Sequence, residues 1–151
     1  ISLSPGFRWG TSLLSGQDIT IDDLFSQTSM NYPEVYRVEM TGKQLKAILE
    51  DVCDNLFNPD PFFQQGGDMV RVGGMTYTCS PKAERGSRIS EMRLVENGEL
   101  LEDSKTYVVG GWGSINKNVS GPPIYDIMES YISDHKLVKP KYPNPVRVVG
   151  M

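Results

Sequence analysis

The chain has 151 residues, 38% of them hydrophobic and 23% charged, with a net charge of -4, which suits one globular domain long enough to bury a core. This acidic balance excludes the basic footprint of a nucleic-acid binder, and no apolar run approaches the ~20 residues of a membrane span. The opening Ile1-Ser2-Leu3-Ser4-Pro5 carries no signal peptide and reads like the middle of a larger protein.

In chain order, residues 1–8 suggest a short strand ending at Gly6-Phe7-Arg8, followed by a loop to Gly16. Thr20 suits the cap of a short helix over 21–27, with Asp22 and Asp23 in the first turn, where negative charge complements the helix dipole. Residues 34–40 are extended, with Tyr36, Val38 and Met40 on one face. Thr41 and Gln44 then form a capping box. Leu45, Ile48, Leu49, Val52, Cys53 and Leu56 follow at helical spacing, and Lys43, Lys46, Glu50 and Asp54 lie off that stripe. Asp51 and Asp54 are expected on solvated surface. Asn58-Pro59-Asp60-Pro61 stops the helix.

Met69-Val70-Arg71-Val72 is an extended run after Gly66-Gly67, broken by Gly73-Gly74, and Met75 to Cys79 resumes as a strand. Two more strands are expected over 88–95 and 105–112, with the tight-turn signal Asn97-Gly98 between them. A second amphipathic helix covers about 123–134, entered through Pro122 and Pro123, and Val146 to Val149 forms a last strand. The pattern implies an α+β domain, a single domain with a mixed β-sheet and two or three packed helices.

The chemistry available to such a domain is limited. One histidine, His135, at a frayed helix end, and two distant cysteines do not make a metal centre or a nucleophilic triad. Cys53 and Cys79 are neither spaced as ligands nor dense enough for a disulfide framework. They read as buried free thiols, or as a bridge in an oxidising compartment. No catalytic residue and no metal ligand is assigned to this chain. Three glycine-rich loops at strand ends carry aromatic or charged residues: Pro5-Gly6-Phe7-Arg8-Trp9-Gly10, Phe62 to Asp68, and Gly110-Gly111-Trp112-Gly113-Ser114. Glycine admits a ligand to the backbone, Trp offers a flat face and Arg grips an oxyanion. Equally, the tryptophans fill the core and the glycines make turns.

The run Tyr36-Arg37-Val38-Glu39-Met40-Thr41-Gly42-Lys43-Gln44-Leu45 resembles the signature of the 5'-nucleotidase C-terminal domain family, as do Val72-Gly73-Gly74-Met75-Thr76-Tyr77-Thr78 and Asn97 through Val109. The resemblance implies that 1–151 is a substrate-binding domain, with its own N-terminal metallophosphatase domain upstream and holding the metal ions. Leu3 to Thr11, Asp54 to Pro61 and Gln64 to Gly74 look like the SoxB branch, the thiosulfohydrolases of bacterial sulfur oxidation. That branch implies a periplasmic enzyme with two manganese ions in the missing domain. It hydrolyses sulfate from a sulfonated cysteine persulfide on the carrier protein SoxYZ.

Departures from the nucleotidase pattern favour the branch. Arg8 keeps the arginine of the first loop. Of the two aromatics that stack a base, the first falls at Met69 and the second at Trp112. The usual Gly-Gly-Asp-Gly loop is replaced near Asn116 to Gly121. The expected substrate-binding set is Arg8, Trp9, Gly66, Gly67, Asp68, Arg71, Trp112, Ser114 and Asn116. In it Arg8 is the anion grip, Trp112 a wall and the Gly66-Gly67-Asp68 backbone a close-approach surface. Two rivals remain: a nucleotidase or nucleotide-sugar hydrolase domain, and a non-enzymatic interaction module.

Overall fold

The computed structural model describes residues 1–5, 12–28, 31–113, 121–139 and 145–150. Its elements run β1 (Ser2–Ser4), α1 (Ile21–Thr28), β2 (Val35–Thr41), α2 (Gly42–Phe57), β3 (Arg71–Gly73), β4 (Met75–Cys79), β5 (Ile89–Leu94), β6 (Thr106–Trp112), α3 (Ile124–His135) and β7 (Val146–Val148). A short 3₁₀ turn, Pro61–Phe63, follows α2. The α+β class and the mixed strands are as the sequence implies. The strands divide between two sheets, one of four in the order β2-β6-β1-β3 and one of three in the order β5-β4-β7. Each sheet contains one parallel pair, β1 with β6 and β4 with β7.

The capping box forms as the sequence implies. The Thr41 hydroxyl accepts from the Gln44 amide at 3.2 Å, and Gln44 Oε1 accepts from the Thr41 amide at 2.8 Å. Two otherwise orphaned donors are thereby satisfied at the mouth of the helix. Leu45, Leu49 and Cys53 lie fully buried on the stripe and meet Leu3, Met75, Tyr77, Ile89, Tyr107 and Val109 in one core. Each buried leucine contributes about 2–3 kcal/mol. The helix ends at Phe57, where Asn58 turns extended ahead of Pro59.

One expectation about α2 is corrected. Asp54 is buried, not solvated, as is Glu50 beside the apolar stripe, because the loop before β5 folds over that side of the helix. Arg88, also buried, donates from Nη1 to Asp54 Oδ1, from Nε to the Ala83 carbonyl at 2.9 Å and from Nη2 to the Phe57 carbonyl at 3.3 Å. Glu50 accepts from the Ile89 and Gly86 amides. Asp51 is exposed and pairs with the exposed Arg85.

The Arg88 hydrogen bond holds the Asp54 carboxyl below its usual range, with help from Asn58 and Arg85 and against the opposing effect of burial. A depressed carboxylate contributes stability above its unfolded value of about 3.9, and that stability is lost as pH falls through the folded value. Thermal unfolding from pH 6 downward is therefore expected to be flat with respect to this group until about pH 5 and then to drop. Asp54→Asn should remove that part of the acid sensitivity. Parallel pH profiles for the two proteins would contradict this assignment.

The Asn97-Gly98 signal does mark a turn, but not between two strands of one sheet. The Gly98 amide returns to the Leu94 carbonyl at 2.9 Å, and Leu100 bridges back to Arg93. The chain then crosses to the other sheet, where the Lys43 amide donates to the Asp103 carbonyl at 3.1 Å. α1 and α3 pack on each other, with the Phe25 and Tyr125 rings 5.3 Å apart. They are tied to the start of β2 through the Val35 amide to the Pro122 carbonyl and the Ile124 amide to the Pro33 carbonyl.

Candidate functional site

The register of the four-stranded sheet brings three distant stretches to one end. Ser4 pairs with Arg71, and Trp112 pairs with Val35. Leu3 is level with Gly111 in the parallel pair, which sets Ser4 beside Trp112. A row Arg71, Ser4, Trp112, Val35 therefore crosses the sheet. The chain leaves this row through Pro5 and Gly113 and enters it from the Gln64–Met69 stretch. A cavity of about 310 Å³ opens here, lined by Ser4, Pro5, Tyr36, Val70, Trp112 and Gly113 among others.

Tyr36 is a lining residue that the sequence reading placed only in the β2 core face. It pairs with Gly111, and a Cβ at Gly111 would collide with the Tyr36 ring and the Leu3 carbonyl oxygen. Gly110-Gly111 is thus part of β6 and makes room for an aromatic ring. Only the pairing of β2 with β6 sets Tyr36 opposite these glycines, so its own stretch of sequence carried no signal of this role. Burial pushes its hydroxyl above the ordinary tyrosine value, so it stays protonated at neutral pH.

Trp112 is half-buried and closes β6 beside the cavity. Arg71 is exposed at the first position of β3. Gly66 and Gly67 have φ of +76° and +95°, a backbone region that suits glycine, and their missing Cβ atoms would meet open space. The Gly66 amide donates to the Asn55 carbonyl at 3.2 Å, anchoring the loop to α2. Asp68 is exposed on the same stretch. Arg8, Trp9, Ser114 and Asn116 lie outside the described residues.

Met69 is half-buried against the core. It lines a second, apolar cavity of about 630 Å³ with Phe57, Val72, Met75, Cys79 and Val146. Trp112 is not among that cavity's lining residues, and Met69 is not among those of the smaller one. Met69 and Trp112, the two positions that the resemblance equates with the base-stacking pair, thus line different cavities.

His135 is exposed, with Nδ1 2.8 Å from the Tyr131 carbonyl and its ring stacked on Tyr131. Among the described residues no group of three His, Cys, Asp or Glu side chains could hold a metal ion. No helix among them is long and apolar enough to cross a membrane.

The chain's likeness to known proteins agrees with this geometry. A search of curated proteins found no match. Among solved structures, the chain is similar to the sulfate thiohydrolase SoxB of Thermus thermophilus in complex with glycerol. The identity is 36% and the TM-score 0.87, over 99% of this chain and 29% of that one. It shares the fold of a 5'-nucleotidase precursor from Thermus thermophilus, with 18% identity, a TM-score of 0.73 and coverage of 99% and 31%. It also shares that of the NAD nucleotidase of Haemophilus influenzae, with 16% identity, a TM-score of 0.69 and coverage of 99% and 30%. The chain thus spans about 30% of the length of these relatives. Residues 1–128 match the model of the 5'-nucleotidase C-terminal domain, and the chain belongs to that family.

Proposed function

We propose that this chain is the substrate-binding domain of a periplasmic dimanganese thiosulfohydrolase that releases sulfate from a cysteine S-thiosulfonate on a SoxYZ-type carrier. The observation that carries the reading is the separation of Met69 from Trp112. A base sandwich needs two flat faces opposed across one cavity, and Met69, at the position the resemblance gives to the first ring, supplies none; Trp112 shares its cavity with Tyr36, whose ring packs against Gly111. Such a groove suits an extended peptide arm better than a purine. The likeness to SoxB over nearly the whole chain supports the same reading. That the related Thermus nucleotidase is described as a precursor supports export.

The two manganese ions belong, on this reading, to the upstream domain. The described residues of this chain do not fit them, since His135 is bound up with Tyr131 and the cysteines are buried against each other. This chain's part is binding and orientation. Trp112 and Tyr36 wall the arm, and the Gly66-Gly67 backbone lets it pass close. Arg8, three residues beyond Pro5, grips the terminal sulfonate, and Arg71 adds positive potential at the rim. Exposed Phe62 and Phe63, next to the loop, are apolar surface that we assign to contact with the upstream domain.

The test is made on the full-length protein with manganese. It is offered a carrier bearing a cysteine S-thiosulfonate and, in parallel, a 5'-nucleotide, while sulfate and phosphate release are assayed. Sulfate release with no phosphate is expected. Phosphate release alone would overturn the reading and restore the nucleotidase alternative.

A further inference from the structure

Cys53 and Cys79 are 26 residues apart in sequence, yet their sulfurs lie 3.7 Å apart. Cys53 sits on the buried stripe of α2 and Cys79 is the last residue of β4, with exposures of 0% and 3%. Both belong to the core that joins α2 to the two sheets. Each thiol has the other as its hydrogen-bond partner, in a core of apolar side chains and the Tyr77 hydroxyl, which makes no hydrogen bond. A disulfide needs the sulfurs about 2.05 Å apart, so each must move by less than about 1 Å, within reach of a small side-chain rotation. The 630 Å³ apolar cavity borders Cys79 and leaves room for that adjustment.

We propose that Cys53 and Cys79 are the two ends of an intrachain disulfide, formed by thiol–disulfide exchange with a small or protein-borne disulfide. One cysteine thiolate attacks the external disulfide R–S–S–R and releases one R–SH. The second cysteine attacks the resulting mixed disulfide, forms the Cys53–Cys79 bond and releases the second R–SH. The external disulfide gains two electrons and the two thiol protons leave on the R–SH products. The inference rests on the geometry of the pair and not on the substrate reading above.

The same burial decides when the step occurs. Burial and the neighbouring Cys79 thiol push the Cys53 thiol up to about 12, so the closed core holds almost no thiolate at neutral pH. Exchange therefore takes place while the core is open, during folding, and the finished bond is shielded from reductants. The bridge closes a covalent loop that contains the Gly66-Gly67-Asp68 stretch and β3 with Arg71. One wall of the candidate site is thereby restricted in the unfolded and partly opened chain.

The experiment refolds the reduced, denatured full-length protein in a mixture of oxidised and reduced glutathione, and in parallel isolates it after export to a bacterial periplasm. Free thiols are alkylated before tryptic digestion. The expected product is the peptide of residues 47–71 joined to that of residues 72–82, two hydrogens lighter than the sum and separated by dithiothreitol. Reductant present during unfolding should lower the Tm by roughly 5–10 °C. Cys79→Ala should abolish that sensitivity. Recovery of both peptides singly alkylated after oxidative refolding and after export would overturn the proposal, as would either cysteine joined to a different partner. The peptide map uses the unaltered protein, so it decides even where the alanine variant does not fold.

Discussion

Replacing Glu50 by alanine is expected to lower the free energy of unfolding by about 3 kcal/mol. Glu50 Oε1 accepts from the Ile89 amide at 2.7 Å and Oε2 from the Gly86 amide at 2.9 Å. Ile89 is fully buried at the start of β5, so its amide has no route to water once the carboxylate is gone. An orphaned buried donor costs about 1–3 kcal/mol, with the upper end where the lost acceptor is a carboxylate, and the Ile89 amide is such a donor, whereas Gly86 is exposed and its amide can turn to water. Glu50→Gln keeps one acceptor oxygen but turns an amide NH₂ toward one of the donors, so it should recover only part of the loss. The adjacent carboxylate supplies the control. Asp51 pairs with Arg85 in solvent, and Asp51→Ala is expected to change stability by less than about 0.5 kcal/mol. Urea titration of the three variants measures the difference. A cost for Glu50→Ala no larger than that for Asp51→Ala would mean that the loop before β5 does not depend on this carboxylate.

The second large effect is on turnover. Arg8→Ala in the full-length enzyme is expected to reduce kcat/KM on the carrier-bound substrate by about 10²-fold. A guanidinium meets a sulfonate through paired, charge-assisted hydrogen bonds, and removing it leaves the anion to weaker partners. Arg8→Lys should restore a minor fraction, since a point charge lacks the planar fork. Trp112→Ala should instead act mainly through KM, because an apolar wall binds ground state and transition state alike. Unchanged steady-state kinetics for Arg8→Ala would remove Arg8 from the anion site and leave Arg71 as the remaining cation at the sheet end.

These two predictions draw on different depths of information. The Arg8 assignment comes from the sequence alone, from its place in the first glycine-rich loop and its match to the family pattern, and Arg8 lies outside the described residues. Glu50 was not, because a helical wheel says only that it lies off the Leu45-Leu49-Cys53 stripe. What covers that flank is a loop more than 30 residues on, carrying Arg88 and the Gly86 and Ile89 amides. Asp54 went unread for the same reason. Tyr36 was placed on the correct face of β2, but its position across Gly111 depends on the pairing of β2 with β6.

The sequence by itself determined the local elements: α2 with its Thr41–Gln44 box and its stop at Asn58, the breaks at Gly73-Gly74 and Asn97-Gly98, and the strand periods. Those features arise from interactions within about four residues, where spacing alone sets which side chains and amides meet. The tertiary structure alone decided how the strands divide between two sheets. It also set Ser4 beside Trp112 although more than 100 residues separate β1 from β6, as in the bond from the Ile1 nitrogen to the Val108 carbonyl at 3.1 Å. A parallel pair has no connecting turn to announce it. Its register follows from which apolar faces bury together, a sum over the whole chain that no local window contains.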